Sequence, residues 1–182
     1  MKKIIITSLY LFVCILSLFS QNTNYYTSTK TINGSGFTYK CDLDNTGSVI
    51  LYNIHNKFTY TEWARKDGKP ISDDVLLGYT ATVSGGGEVK SRSNKIIREH
   101  FTAAEIKMVK GEGLLISMII NSSTGSIDEV CFKFLKRSPL CFIPPARYRA
   151  LEVALLKNVP KFTVTEEGKK LNYCMMHWNY DF

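Results

Sequence analysis

The stretch that most limits the fold is residues 111–134, GEGLLISMIINSSTGSIDEVCFKF. Leu114, Ile116, Met118 and Ile120 alternate along one face of a strand, and Leu115 and Ile119 occupy the other. Such a strand is expected to be covered on both sides. Residues 121–126, N-S-S-T-G-S, interrupt the pattern with turn formers. Val130, Phe132 and Phe134 then supply the matching face of a return strand, with Glu129 and Lys133 outward. A two-stranded hairpin is not stable alone in water, so another part of the chain has to cover it.

The cover is legible downstream. Tyr148, Leu151, Leu155 and Val159 follow at helical spacing, with Ala154 inside the stripe. Pro145 suits a first helical position, and Pro160 ends the run. Arg147, Arg149 and Lys157 fall on the remaining surface. Upstream, Thr102 and Glu105 form a capping box, Ile106 and Val109 make an apolar pair, and Gly111 is placed to end that helix. After the long helix, E-E-G-K-K reads as a turn and L-N-Y-C-M-M-H-W-N-Y-D-F as a final strand. Leu171, Tyr173 and Met175 keep one register there, and Trp178, Tyr180 and Phe182 keep the other. That change of parity predicts a β-bulge near Met176.

The first half reads as strands. Phe37, Tyr39, Cys41 and Leu43 share a face, D-N-T-G is a turn, and S-V-I-L-Y-N-I and K-F-T-Y-T-E-W continue a meander. S-D-D-V-L-L-G suggests a helical turn capped by Ser72, and Y-T-A-T-V a further strand. S-G-G-G-E reads as a flexible loop. Its glycines have neither the spacing nor the lysine of a phosphate-binding loop. The fold class is therefore α+β: an N-terminal antiparallel β-meander, then a ββαβ half whose amphipathic helix packs on an antiparallel sheet. The expected divisions are 1–20, 21–100 and 101–182.

Several short motifs carry a resemblance. Gly111 or Gly113 precedes the first strand of the second half, and Thr124-Gly125-Ser126-Ile127 forms its hairpin turn. Phe162-Thr163-Val164 and Gly168-Lys169-Lys170-Leu171 follow the helix, and Phe182 closes the strand. On these residues, positions from about 102 to 182 resemble the C-terminal domain of TonB and its relatives. The resemblance implies the ββαβ layer, and an envelope protein partner bound by strand addition at an open sheet edge. A TonB energy transducer also carries a long Pro-rich spacer, whereas the first proline here is Pro70. The whole pattern is more similar to small secreted proteins of anaerobic gut bacteria with a TonB-like C-terminal half.

The first residues read as a targeting segment. Lys2 and Lys3 precede a largely apolar run over 4–19, which is shorter than the roughly 20 residues a membrane span requires. The expected outcome is a signal peptide cut between Ser20 and Gln21, leaving a periplasmic or secreted protein. Membrane association is expected only if the segment stays uncleaved or Cys14 is lipidated. The net charge is +7, and removing residues 1–20 takes away two lysines and no acid. Lys90, Arg92, Lys95 and Arg98 form the densest basic cluster. Without a nucleic-acid motif they read as a solvated face, and no nucleic-acid partner is expected. Cys41, Cys131, Cys141 and Cys174 remain after cleavage. They allow three pairings between which the sequence does not choose, and they contain no C-x-x-C.

No catalytic constellation emerges. His55, His100 and His177 lie far apart, and Glu99, His100 and Glu105 fit a polar helix entry. Ser122 and Ser123 sit in a turn without a local base. Asp73–Asp74 and Glu166–Glu167 are adjacent pairs whose side chains diverge. Cys174 and His177, three apart on a strand, point to opposite faces unless a bulge intervenes. No metal or cofactor motif is present. The aromatic residues Tyr25, Tyr26, Tyr60 and Trp63 cluster early, and Tyr60 and Trp63 are the candidates for stacking on a ligand. The expected function is a non-catalytic cell-envelope module that binds a protein partner. The alternatives are a carbohydrate- or small-ligand-binding protein that uses these aromatics, and a hydrolase with a dispersed triad.

Overall fold

The computed structural model describes residues 23–71 and 82–182. The segment expected to direct export with its Ser20–Gln21 junction, Cys14, the turn expected at Ser72 and most of the strand expected over 79–83 lie outside these residues. The main strands are β1 (Lys30–Gly34), β2 (Phe37–Leu43), β3 (Ser48–Asn53), β5 (Gly113–Ile120), β6 (Ile127–Leu135) and β8 (Cys174–Asp181). They form one antiparallel sheet in the order β1-β2-β3-β6-β5-β8, and the short β4 (Val83–Ser84) and β7 (Thr163–Val164) pair with each other. The helices are α1 (Gly86–His100), α2 (Ala103–Met108), α3 (Pro145–Asn158) and α4 (Glu166–Lys169), with a 3-10 turn at Pro139–Phe142. The fold is α+β, with the helical layer on one face of the sheet.

The hairpin forms as its alternation requires. Leu114, Ile116, Met118 and Ile120 are buried on β5, and Val130, Phe132 and Phe134 are buried on β6. Helix α3 covers them. Pro145 opens it, and Tyr148, Leu151, Ala154 and Leu155 turn inward. At roughly 1.5–3 kcal/mol for each large side chain, this stripe alone is worth several kcal/mol. The Thr102–Glu105 capping box is present in both directions. Gly111 takes φ +83° just beyond α2, the left-handed conformation that glycine adopts without strain.

The sheet runs across the expected division near residue 100. β3 pairs with β6 from Ser48↔Leu135 to Tyr52↔Cys131, so strands of both halves share one sheet and one hydrophobic core.

Three local expectations are corrected. First, the meander is β1-β2-β3, and residues 57–63 do not form its third strand. Their backbone is held by long-range partners: the Glu129 carboxylate accepts the N–H groups of Lys57 (2.6 Å) and Phe58 (3.1 Å), and Tyr173 Oη donates to Thr61 O (2.7 Å). Second, the S-G-G-G-E loop is in part a helix. α1 starts at Gly86 because Val89, Ser93, Ile96 and Ile97 form a buried stripe that packs against the core. The tertiary contact outweighs the roughly 1 kcal/mol that a helical glycine costs relative to alanine. A Cβ at Gly86 would lie 2.5 Å from Met176 Cε, the mobile tip of a side chain on β8. Third, β8 pairs with β5 in unbroken register from Cys174 to Asp181, without the bulge expected near Met176. The irregularity lies between β5 and β6, at Ile119/Ile120. Leu171 and Tyr173 precede the strand, which removes the apparent change of parity. The E-E-G-K-K turn is the single-turn helix α4, capped by Thr165 Oγ1, which accepts from Gly168 N.

Candidate functional site

Alternation places half of the sheet's side chains on the face turned away from the helices. There, register aligns Tyr52, Cys131, Ser117 and His177 in one row across β3, β6, β5 and β8. The next row contains Ile50, Lys133 and Leu115. Ile119 is buried on this face, but Leu115 and Ser117 are only half-buried. The expectation that β5 is covered on both sides is thus met at one end of the strand and relaxed in its middle.

The partial cover is a strap, residues 54–63, which leaves the end of β3 and crosses the face. Asn56 Nδ2 donates to Val130 O (3.0 Å), Tyr60 Oη to Asp42 Oδ2 (2.7 Å) and Trp63 Nε1 to Tyr173 O (2.6 Å). Between strap and sheet lies a groove of about 500 Å³. Leu115, Ile119 and Met175 form its floor with the Ser117–His177 pair, and Phe58 and Tyr60 line it from the strap.

The polar groups of the groove are chemically quiet. Burial pushes the Cys131 thiol up to about 12, so it stays protonated at neutral pH and is a poor nucleophile. The other thiols are free as well, and burial raises each of them to about 11. Cys41, Cys141 and Cys174 thus behave as small buried groups, and Cys131 as a half-buried one. His177 Nδ1 is 2.6 Å from Ser117 Oγ, and burial lowers its imidazole below the ordinary 6.5. A histidine lowered in this way favours the folded state in its neutral form. Its contribution is complete above the unfolded value of about 6.5 and falls as pH drops through the folded value. We expect NMR titration to place the His177 midpoint below 6.5. We also expect the loss of stability on acidification to be smaller in His177→Gln than in the parent.

The two aromatic candidates have separated roles. Tyr60 is 63% exposed, lines the groove and meets Tyr52 edge-on at 5.7 Å. Both phenols donate to the same Asp42 oxygen. Trp63 does not line the groove; its indole N–H anchors the strap. Trp63→Ala is expected to lower stability by about 1–2 kcal/mol through loss of that bond, as measured by urea unfolding.

The remaining candidates stay apart. His100 Nδ1 lies 2.8 Å from Ile96 O, in its own helix. Glu105 is held in the capping box and by Arg147 Nε at 3.2 Å. Cys174 is on the core face and His177 on the open face. Among the described residues, no group of three or more His, Cys, Asp or Glu is placed to hold a metal ion, and no helix is long and apolar enough to cross a membrane. The exposed surface of α1 presents Lys90, Arg92, Lys95 and Arg98.

Sequence reasoning missed Glu152, which is 3% exposed on α3. Its Oε2 accepts from Tyr39 Oη (2.6 Å) and Arg149 Nη1 (2.7 Å). The signal was available: position 152 is i+4 from Tyr148 and i−3 from Leu155, so a carboxylate falls on the apolar stripe.

This is a two-layer α+β protein with a strap-covered groove on its uncovered sheet face. The chain belongs to the family described as "Domain of unknown function (DUF5043)", whose model matches residues 22–178. Among solved structures it is similar to a DUF5043 family protein from Bacteroides uniformis ATCC 8492, a crystal structure at 1.85 Å. The two share 33% identity with a TM-score of 0.79, over 87% of this chain and 88% of that one. No curated protein matches. Membership of this family replaces the resemblance to TonB as the account of the chain, and it covers both halves.

Proposed function

We propose that the protein is an exported binding protein without catalytic chemistry, and that its ligand occupies the groove beneath the 54–63 strap. The supporting observation is the groove itself. Apolar side chains on a sheet face away from the core are left half-covered by a strap fastened at several points, with the Ser117–His177 pair between them and Lys133 and Glu62 also in the lining. Small-molecule sites combine an apolar lining with a few placed polar groups in this way. The matching ligand is partly apolar and carries a group that hydrogen-bonds near Ser117 and His177. Tyr60, rather than Trp63, is the aromatic side chain in position to contact it.

A thermal-shift screen of small, partly apolar metabolites tests this reading. Hits are expected to raise the midpoint of the parent and to lose that effect in Ser117→Phe, which fills the groove. Hits that still stabilise the filled variant place the ligand elsewhere. Export is supported by Lys2, Lys3 and the apolar run that follows. N-terminal sequencing of protein from the cell envelope is expected to begin at Gln21, and a sequence beginning at Met1 refutes cleavage.

A second reading is a protein partner added to the sheet. It is favoured by β8, an eight-residue strand at one end of the strand order. Such an edge is a template for another strand. If a partner is captured from envelope extract, amide exchange over 174–181 should slow in the complex. Unchanged exchange there rules strand addition out.

A further inference from the structure

A second cavity, of about 560 Å³, opens where β3 ends and β6 begins, on the far side of the Asn56–Phe58 segment from the groove. Its lining is more polar than that of the groove. Asn53, Lys57, Asp128, Glu129, Arg149 and Glu152 line it beside the apolar Ile127 and Leu156, with His55 at its rim. Three of the polar residues are more than nine-tenths buried: Glu152 (3% exposed), Asn53 (7%) and Glu129 (7%). Burying such groups is costly unless each finds partners, so their partners are informative.

The two buried glutamates already have hydrogen-bond donors. Both Glu129 oxygens accept strap N–H groups, from Lys57 and Phe58. Arg149 pairs with Glu152 at 2.7 Å on Oε2, the oxygen that also accepts from Tyr39. Burial, and then the Glu152 carboxylate, raise the Tyr39 phenol, so Tyr39 remains a donor. Glu152 Oε1 accepts no hydrogen bond from any described residue, and the residue lines the cavity. Asn53 Oδ1 accepts from His55 N (3.1 Å), which leaves its amide N–H groups directed elsewhere. Phe58, tilted at 44° to Tyr173 with 4.9 Å between ring centres, adds an aromatic wall.

We propose that this cavity is a binding site for a neutral polyhydroxylated ligand, a sugar. A ligand here donates to the free carboxylate oxygen of Glu152 and accepts from amide and guanidinium N–H groups. A full charge on it gains little from the glutamates and the guanidinium, which already have partners. Hydroxyls do both, and the C–H face of a sugar ring suits the single aromatic wall. An apolar ligand would leave Glu152 Oε1 and the Asn53 amide desolvated and unpaired, which is unfavourable. A cavity of this size lies within the range of small-molecule sites.

The inference does not depend on the groove, and one experiment separates the two. Saturation-transfer NMR and thermal shift are run on the whole mature chain with neutral methyl glycosides, glucosamine and glucuronate, each at about 10 mM. Neutral glycosides are expected to contact the protein and raise its midpoint. Glu152→Gln is expected to weaken them about fivefold or more by removing the charged acceptor. His55→Trp, at an exposed rim position that leaves the core untouched, is expected to abolish them by blocking the mouth. Ser117→Phe, in the groove, is expected to leave them unchanged. No contact from any neutral glycoside with the folded chain overturns the proposal. A stronger response to glucosamine or glucuronate overturns it too, as does binding that survives His55→Trp or is lost in Ser117→Phe.

Discussion

Gly125→Val is expected to remove about 3 kcal/mol or more of stability, a large part of the roughly 5–15 kcal/mol that holds a domain together. Two independent causes coincide at this position. Gly125 has φ +72°, where a β-branched residue is a genuine outlier. A Cβ there would also lie 2.0 Å from the carbonyl oxygen of Phe162. That oxygen cannot easily retreat, because Phe162 N donates to Gly125 O (2.9 Å) while Gly125 N donates to Asn121 O (2.9 Å). The turn of the hairpin and the segment after α3 are thus locked face to face. Gly111→Ala separates the two causes. Gly111 shares the positive φ, at +83°, yet a Cβ there meets nothing within 4 Å. It is expected to cost only the conformational part, about 1 kcal/mol. Urea unfolding of both variants checks the argument, and equal losses would show that the contact with Phe162 is unimportant.

Tyr148→Ala is expected to cost about 3–5 kcal/mol, the range for truncating a large aromatic core residue. Tyr148 is fully buried between the sheet and the N-terminal segment. Its ring stacks on Phe134 (5.4 Å, 8°) and meets Phe132 at 5.3 Å and Tyr26 at 5.9 Å. Its hydroxyl donates to Leu140 O at 3.1 Å. Truncation leaves a cavity and removes one of the two donors to the Leu140 carbonyl, which also accepts from Ile143 N (3.2 Å). Tyr148→Phe removes only that hydroxyl donor and is expected to cost about 1 kcal/mol. The difference between the two variants, from denaturant midpoints at constant slope, measures the ring. If alanine costs no more than phenylalanine, the aromatic cluster is not what joins α3 to the sheet.

What the sequence revealed followed the range of its signals. The β5–β6 hairpin, α2 with its capping box and α3 were legible because each repeats a short period within one element. α1 was not. Val89, Ile96 and Ile97 are sparse, Ser93 fills the fourth inward position, and the helix begins on glycines that ordinarily mark a loop. Residues 57–63 misled in the other direction. Phe58 and Tyr60 alternate like a strand, but the carboxylate that secures the start of the segment is Glu129, some 70 residues away. The candidate sites are long-range products as well. The groove exists because β6 lies between β3 and β5, and the second cavity because Glu152 faces Tyr39 across the core. Neither neighbourhood follows from spacing along the chain. The resemblance to TonB captured the order of elements after Thr102 and missed that β6 has a second neighbour from the first half.

The position of β8 bears on how the molecule is made. β5 needs β8 on its outer side, and the closing bonds are Gly111 N to Phe182 O and Phe182 N to Glu112 O. Phe182 also packs its ring on Phe101 and Tyr180. During synthesis from the N-terminus, residues 113–120 therefore emerge long before the strand that completes their pairing. Until then one apolar edge of the hairpin is unprotected. Pairings this distant close slowly and leave sticky intermediates. A nascent chain in this state is one that a holding chaperone would recognise.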